Sequence, residues 1–375
     1  MSSWSSSSYG SSRRLLLVAF STGLGILAGC AAGSRPPPVE PGANPFAGRP
    51  LRWVESTNAT RQAEAWRRDQ PDDAAYMELL AEQPVALWYG DWTPSVEEAI
   101  RGVTFETRRR GELALMVLYN IPNRDCGQYS AGGVDDPETY RRWIRQAKRG
   151  IGRGAAAVIL EPDALGLLED CLNPAKQRER LELLSDAVQV LSEGGGVAVY
   201  IDAGNARWHP PEEMARRLRK AGIEHARGFA LNVSNYVGTE ETVAYGKAIS
   251  ALVGDKPFVV DTSRNGNGPT EDLKWCNPRG RAVGRPPTSE TGDPSVDAFL
   301  WIKVPGESDG ACNGGPAAGA WWPEVALELA RNGTWTNAAL GRQPPRPEPE
   351  AKPEDDARLE SAPPNAPQPS PGPRR

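Results

Sequence analysis

The chain has 375 residues, 39% hydrophobic and 24% charged, enough for one large domain with a full core plus extended ends. Its 43 basic and 48 acidic residues leave a net charge of -5, with no basic field to draw in a polyanion, so a nucleic-acid partner is not expected. Two histidines, His209 and His225, and five cysteines leave little from which to build a zinc or iron site, so neither a metal nor a cofactor is expected.

In chain order, residues 1–30 read as a processing segment and not as fold. A Ser-rich start and Arg13-Arg14 precede an apolar run over 15–28, too short to span a bilayer as a mature helix but suited to a secretory signal. The run ends in Leu27-Ala28-Gly29-Cys30, which resembles the lipobox of bacterial lipoproteins and implies cleavage before Cys30 and acylation of its thiol. The alternative is an ordinary signal peptide with an incidental cysteine, and the arginine pair is also compatible with the twin-arginine route. Residues 31–43 are a Pro-rich spacer that would hold a folded domain off a membrane. The expected location is outside the cytoplasm, lipid-anchored at the cell surface or secreted.

Short apolar runs then alternate with amphipathic stretches. The runs cover 85–89, 113–119, 156–160, 197–201, 228–232, 257–260 and 298–304, rich in Val, Ile, Leu and aromatic residues, as strands buried on both faces require. Between them Asn173-Pro174 supplies a helix cap and a first-turn proline, after which Leu181, Leu184, Val188 and Leu191 recur at helical spacing. Residues 211–220 and 239–253 behave alike. Seven strands alternating with helices predict an α/β fold, a parallel barrel one strand short of the usual eight, over residues 44–341. A doubly wound open sheet is the alternative, but no Gly-x-Gly-x-x-Gly follows the first strand. Residues 342–375 form a disordered tail. From Pro344 onward 11 of 32 residues are proline, and so few are large and apolar that burial cannot offset chain entropy.

With Cys30 assigned to lipid, Cys126, Cys171, Cys276 and Cys312 remain, an even number that reads as two disulfides in an exported protein. Three pairings are possible, and spacing does not choose between them.

The polar residues fall at predicted strand ends: Asn120 and Asp125, Glu161 and Asp163, Asp202, Asn232 and Asn235, Asp261, Glu307 and Asp309. One such residue would ordinarily be a cap or a turn. In parallel α/β folds, however, the C-terminal strand ends gather on one face, so the series predicts a shared acidic site. An acidic cleft without His or Cys nucleophiles suits glycoside hydrolysis, which needs one protonated carboxyl and one carboxylate. Trp88, Trp92, Trp208, Trp275, Trp321 and Trp322 lie at strand ends or in loops, where rings can stack on sugars, whereas Trp301 falls within a predicted strand and reads as core.

The stretches Tyr119-Asn120-Ile121-Pro122-Asn123-Arg124-Asp125-Cys126, Val158-Ile159-Leu160-Glu161-Pro162-Asp163, Tyr200-Ile201-Asp202-Ala203-Gly204, Trp275-Cys276-Asn277-Pro278 and Trp301-Ile302-Lys303 through Glu307-Ser308-Asp309-Gly310 together resemble glycoside hydrolase family 6, the cellulases. The resemblance implies a distorted seven-stranded α/β barrel. It implies Asp163 as general acid, with a pKa raised so that it stays protonated. It also implies Asp125 as the carboxylate that tunes this pKa and is linked to water activation, and Asp309 as the proposed base. Asp202 would orient sugar, Tyr119 would crowd the sugar at the cleavage subsite, and Trp88, Trp208 and Trp275 would stack on sugar rings. Lys303 and Glu307 would contact hydroxyls, the alternative for them being a structural ion pair. Ser130 would hold the water, and Asn232 joins the substrate-binding set. The resemblance pairs Cys126 with Cys171 and Cys276 with Cys312. Two departures stand out: Asn205 replaces the usual histidine, and Pro305-Gly306 replaces a Gly-Gly.

The expected activity is that of an inverting endo-β-1,4-glucanase, a monomer acting on cellulose or a related β-glucan. The rivals are an exo-acting cellobiohydrolase, a retaining glycosidase on a similar barrel, and a surface lipoprotein that binds glucan without cleaving it.

Overall fold

A computed structural model describes residues 42–52 and 57–344. The expected signal segment with Cys30, most of the spacer and nearly all of the Pro-rich tail lie outside the described residues. Among the described residues no helix is long and apolar enough to cross a membrane.

Two helices, α1 (Asn58–Trp66) and α2 (Pro71–Ala81), precede the sheet. There follow β1 (Leu87–Tyr89), α3 (Val96–Arg110), β2 (Ala114–Leu118), α4 (Pro137–Ile151), β3 (Ala156–Leu160), α5 (Pro174–Ser192), β4 (Val197–Asp202), α6 (Pro211–Lys220), β5 (Gly228–Leu231), α7 (Thr239–Leu252), β6 (Phe258–Asp261), β7 (Val296–Leu300), α8 (Pro323–Asn332) and α9 (Thr334–Ala339). The seven strands pair in sequence order, every pair parallel. The sheet is thus the seven-stranded α/β barrel expected from the chain, left open between its first and last strands.

Alternation along each strand divides the core in two. Met116, Leu118, Val158, Leu160, Val199, Ile201, Phe229 and Phe258 face the helices α3–α7. Their neighbours Leu115, Val117, Ala157, Ile159, Ala198, Tyr200, Ala230, Val259 and Ala298 fill the barrel interior. Small residues in that interior leave room for a few large ones. One of these is Phe46, from the segment before α1, whose ring lies 6.0 Å from that of Tyr200. The same end is tied by the buried Asp297, which accepts from Tyr200 Oη at 2.6 Å and pairs with Arg227 at 2.8 Å.

Between β1 and β7 the barrel is bridged by two bonds. The Ala86 amide donates to the Trp301 carbonyl (3.0 Å), and the Trp88 indole N–H donates to the Ile302 carbonyl (2.8 Å). Trp301 is fully buried, as its core assignment required, in an apolar cluster with α1, α2 and α8. It lies just past β7. The last strand runs over 296–300 and not 298–304, because the buried polar Asp297 interrupts the apolar pattern at its start. At its end the amides of Ile302 and Lys303 turn to the carboxylate of Asp261 (3.2 and 3.0 Å).

Two of the longer helices, α4 and α5, start at side-chain caps. The Asn173 side chain accepts from the amides of Ala175 and Lys176, with Pro174 in the first turn, and Asp136 caps α4 before Pro137 in the same manner.

Candidate active site

The loops at the C-terminal strand ends enclose a cavity of about 990 Å³. Carboxyl groups of Asp125, Asp163, Glu307 and Asp309 line it, with rings of Trp88, Trp92, Tyr119, Tyr129, Trp208 and Trp275. The connection after β2 carries Asp125 in a 3-10 turn, where Asn123, Asp125 and Cys126 all have left-handed backbone (φ 57°, 57° and 50°). Such strain persists only when the surroundings over-determine it. Here they do: the buried Arg124 donates to Asp91 Oδ1 (2.8 Å) and to the carbonyls of Tyr119 (2.9 Å), Ser130 (2.8 Å) and Ala131 (3.1 Å). Asp125 Oδ2 then accepts the Ser130 amide at 2.8 Å. Burial raises the Asp125 carboxyl above its usual range, against the lowering effect of that amide and of Arg124.

The connection after β3 is also left-handed, at Glu161 (φ 49°) and Asp163 (φ 66°). Glu161 does not reach the cavity. Its carboxylate accepts the amides of Asn120 (2.9 Å) and Ile121 (3.1 Å) and the Tyr140 hydroxyl (2.9 Å), tying the third strand end to the second. Asp163 does face the cavity. Its carboxyl sits well above the ordinary value, pushed up first by burial and then by the negative charges of Asp202, Asp125 and Asp309.

Asp202 differs from the expectation. It is 1% exposed and outside the cavity lining, and its Oδ1 accepts the amides of Asp163 (3.0 Å) and Gly204 (3.1 Å). It supports the Asp163 backbone and does not open to the cavity; burial lifts its carboxyl to about 7. Asn232 is likewise displaced from the substrate-binding set. It is fully buried, and its side chain is bonded to the carbonyls of Val237 (3.1 Å) and Asp261 (3.0 Å) and to the Val237 amide (3.1 Å). Asp261 is a third staple, accepting amides of Ser234, Ser263, Ile302 and Lys303. The acidic strand ends therefore divide into two groups, some holding adjacent loops together and others open to the cavity.

Asp309 lines the cavity but is ion-paired. Both its oxygens accept from Arg264 Nη1 (2.9 Å each), and Oδ2 also takes the Asn277 amide (3.0 Å) and the Tyr236 hydroxyl (3.4 Å). Lys303, 8% exposed, donates to the Ser308 carbonyl at 3.3 Å; burial lowers its pKa while Asp309 and Glu307 raise it. Burial raises the Glu307 carboxyl against the pull of Lys303 and Arg264. Asn205, at the departure from the usual histidine, lines the cavity with its Oδ1 on the Arg207 amide (2.9 Å).

Among the rings, Trp88 meets Tyr119 edge-on (5.6 Å, 87°), Trp208 stacks on His209 (5.6 Å, 15°), and Trp275 lies 6.0 Å from Tyr129. Trp321 and Trp322 belong elsewhere. The first packs with α8, and the second stands at that helix's N-terminus near Arg279. Tyr129 was not singled out from sequence. It comes off the Asp125 loop and packs on Gly310, where a Cβ would meet its own Cβ at 2.4 Å, so the loops after β2, β6 and β7 touch here. The disulfide Cys126–Cys171 ties the loop after β2 to the loop after β3, and Cys276–Cys312 ties the loops after β6 and β7.

The model of the glycosyl hydrolases family 6 matches residues 47–333. Endoglucanase A of Cellulomonas fimi is 46% identical over 278 residues, covering 74% of this chain and 60% of that protein. Endoglucanase 1 of Streptomyces halstedii is 45% identical over 279 residues, covering 71% of this chain and 85% of that protein. The endoglucanase Cel6 from Mycobacterium tuberculosis, solved in complex with methyl-cellobiosyl-4-deoxy-4-thio-β-D-cellobioside, superposes with a TM-score of 0.72 at 42% identity, covering 76% of this chain and 98% of that one. The matched span begins at the residue after Phe46, which plugs the barrel, and ends at the residue after α8, so it takes in every strand and every cavity loop: the chain belongs to the glycosyl hydrolases of family 6.

Proposed function

We propose that this protein is an inverting endo-β-1,4-glucanase in which Asp163 is the proton donor. One observation carries the reading: a carboxyl whose pKa is raised by burial and by three neighbouring carboxyls faces the cavity that Asp125 and Asp309 share. In the proposed reaction Asp163 gives its proton to the departing glycosidic oxygen while a water attacks the opposite face of the sugar. Asp125 and Ser130 orient that water. Asp125, with one oxygen on the Ser130 amide and a raised pKa, is the better acceptor for its proton. Asp309, paired with Arg264, adds to the raising of the Asp163 carboxyl. Tyr119, Trp88, Trp208 and Trp275 carry the sugar rings, and Lys303 and Glu307 the hydroxyl contacts.

Asp163→Asn is expected to lower turnover of a soluble cellulose derivative by on the order of 10²–10⁴-fold while cello-oligosaccharide binding persists. Equal hydrolysis by variant and wild type removes Asp163 from the mechanism. Proton NMR of the first product should show the α-anomer, and initial β-anomer excludes inversion. Viscosity of the polymer should fall well ahead of reducing-sugar release; parallel changes would make the enzyme exo-acting.

The proposal extends to the chain as a whole: a signal segment over 1–30, acylation of Cys30, a spacer over 31–43, the catalytic domain over 44–341 and a Pro-rich tail over 342–375, in an exported monomer. The two disulfides support export, since such bonds persist in oxidising compartments. Labelling with a radioactive fatty acid, lost in Cys30→Ala, tests the anchor.

A further inference from the structure

Trp92 is 53% exposed, the most exposed large apolar side chain among the described residues, and it lines the mouth of the cavity. It is not a loose ring. The Arg124 guanidinium lies 5.0 Å from its centroid. On the loop beneath, a Cβ at Gly90 would meet three ring carbons at 2.4–2.8 Å, so the turn over 90–93 is shaped around the indole. Arg124 is itself immobilised by its four acceptors and stands 4.7 Å from the Tyr119 ring, which meets Trp88 edge-on. Trp88, Tyr119, Arg124 and Trp92 thus form one row, running from the bridge between β1 and β7 outward to solvent.

A ring held rigid by a buried cation yet left half in water has no packing role for its exposed part. A preformed, low-entropy aromatic surface is what recognition of an amphipathic partner uses. We propose that Trp92 is an outer glucosyl-binding platform, occupied by chains long enough to reach the mouth and left empty by short ones, with Arg124 as its positioning residue. This rests on the glucanase reading and specifies its substrate as an extended chain engaged well beyond the cleaved bond.

The test is the ratio of kcat/KM for cellohexaose to that for cellotetraose. Trp92→Ala is expected to lower this ratio about tenfold relative to wild type, and Trp92→Phe to restore most of it. Gly90→Ala, which displaces the ring without removing it, is expected to lower the ratio in the same direction. Unchanged kcat/KM on both oligosaccharides, or an equal-fold loss on both, overturns the proposal, the second outcome marking the ring as a prop for Arg124. Titration calorimetry with cellohexaose, on Asp163→Asn with and without Trp92→Ala, separates this from the reading beneath it. A wild type that binds but cleaves no β-glucan removes the glucanase assignment, while the difference in affinity still decides Trp92.

Discussion

Arg180 offers the sharpest way to connect the helical layer to the chemistry. It sits on α5, 3% exposed, and its Nη2 donates to the carbonyls of Pro122 (2.9 Å) and Asn123 (2.8 Å) while Nη1 reaches the Ala164 carbonyl (3.4 Å). Those carbonyls lie two and three residues before Asp125 and one after Asp163, so a single guanidinium spans both loops. Arg180→Met keeps most of the stem and removes the fork. Two short bonds from a charged donor are worth about 1.5–3 kcal/mol each, but removing the cation also relieves its desolvation, leaving a net loss of about 3 kcal/mol. For a domain of about 300 residues that is a fall in Tm of roughly 5 °C. The kinetic effect should exceed the thermal one: with the separation of Asp125 and Asp163 no longer fixed, kcat should drop on the order of 10–100-fold with KM little changed. The removed cation also faces Glu161, a carboxyl that burial has already raised to about 7. The assay is steady-state hydrolysis of cellohexaose across pH, beside thermal unfolding in the same buffers. A variant that melts early but keeps wild-type kcat and pH profile would show the guanidinium to be a stabiliser only, and the reasoning would fail.

Asp202→Asn keeps an oxygen for the Asp163 amide but deletes a charge that raises the Asp163 carboxyl, so the alkaline limb of the rate profile should move to lower pH; movement in the other direction contradicts the electrostatics. Glu161 and Asp202 are both raised to about 7 when folded, so they hold protons that the unfolded chain releases near pH 4. Their contribution is fully present below that pH and lost as pH rises through about 7. Tm should therefore fall between pH 5 and 7.5, and a flat profile would refute this. Cys126 and Cys171, 45 residues apart, close a loop whose cross-link restricts the unfolded chain by about 4 kcal/mol. The double serine variant should melt roughly 6 °C lower, and an unchanged Tm would count against that account.

The barrel was legible because buried strands and capped helices leave local signals: the run over 156–160 is β3 to the residue, and Asn173-Pro174 marks the start of α5. The clustering of acids was legible too. What the sequence does not encode locally is which carboxylate meets backbone amides from the neighbouring loop. Asp202 and Asp261 therefore read as site residues although both are buried under the loops they join. The buried arginines leave little mark in the sequence because a lone Arg resembles a solvated surface charge. For Arg180 a signal did exist: it falls on the stripe of Leu184, Val188 and Leu191, at an apolar position of the helix. Arg264 had none, its partner Asp309 lying 45 residues away.

The indole N–H that bridges β1 to β7 at Ile302 has a consequence for how this enzyme can diversify. Trp88 is at once a wall of the cavity and a rivet in an unclosed sheet, so its ring cannot be exchanged without also loosening the barrel. The cavity wall is free to drift at Trp92 or Trp275, which are anchored in loops, but at Trp88 the shape of the cavity and architectural integrity are one inherited trait.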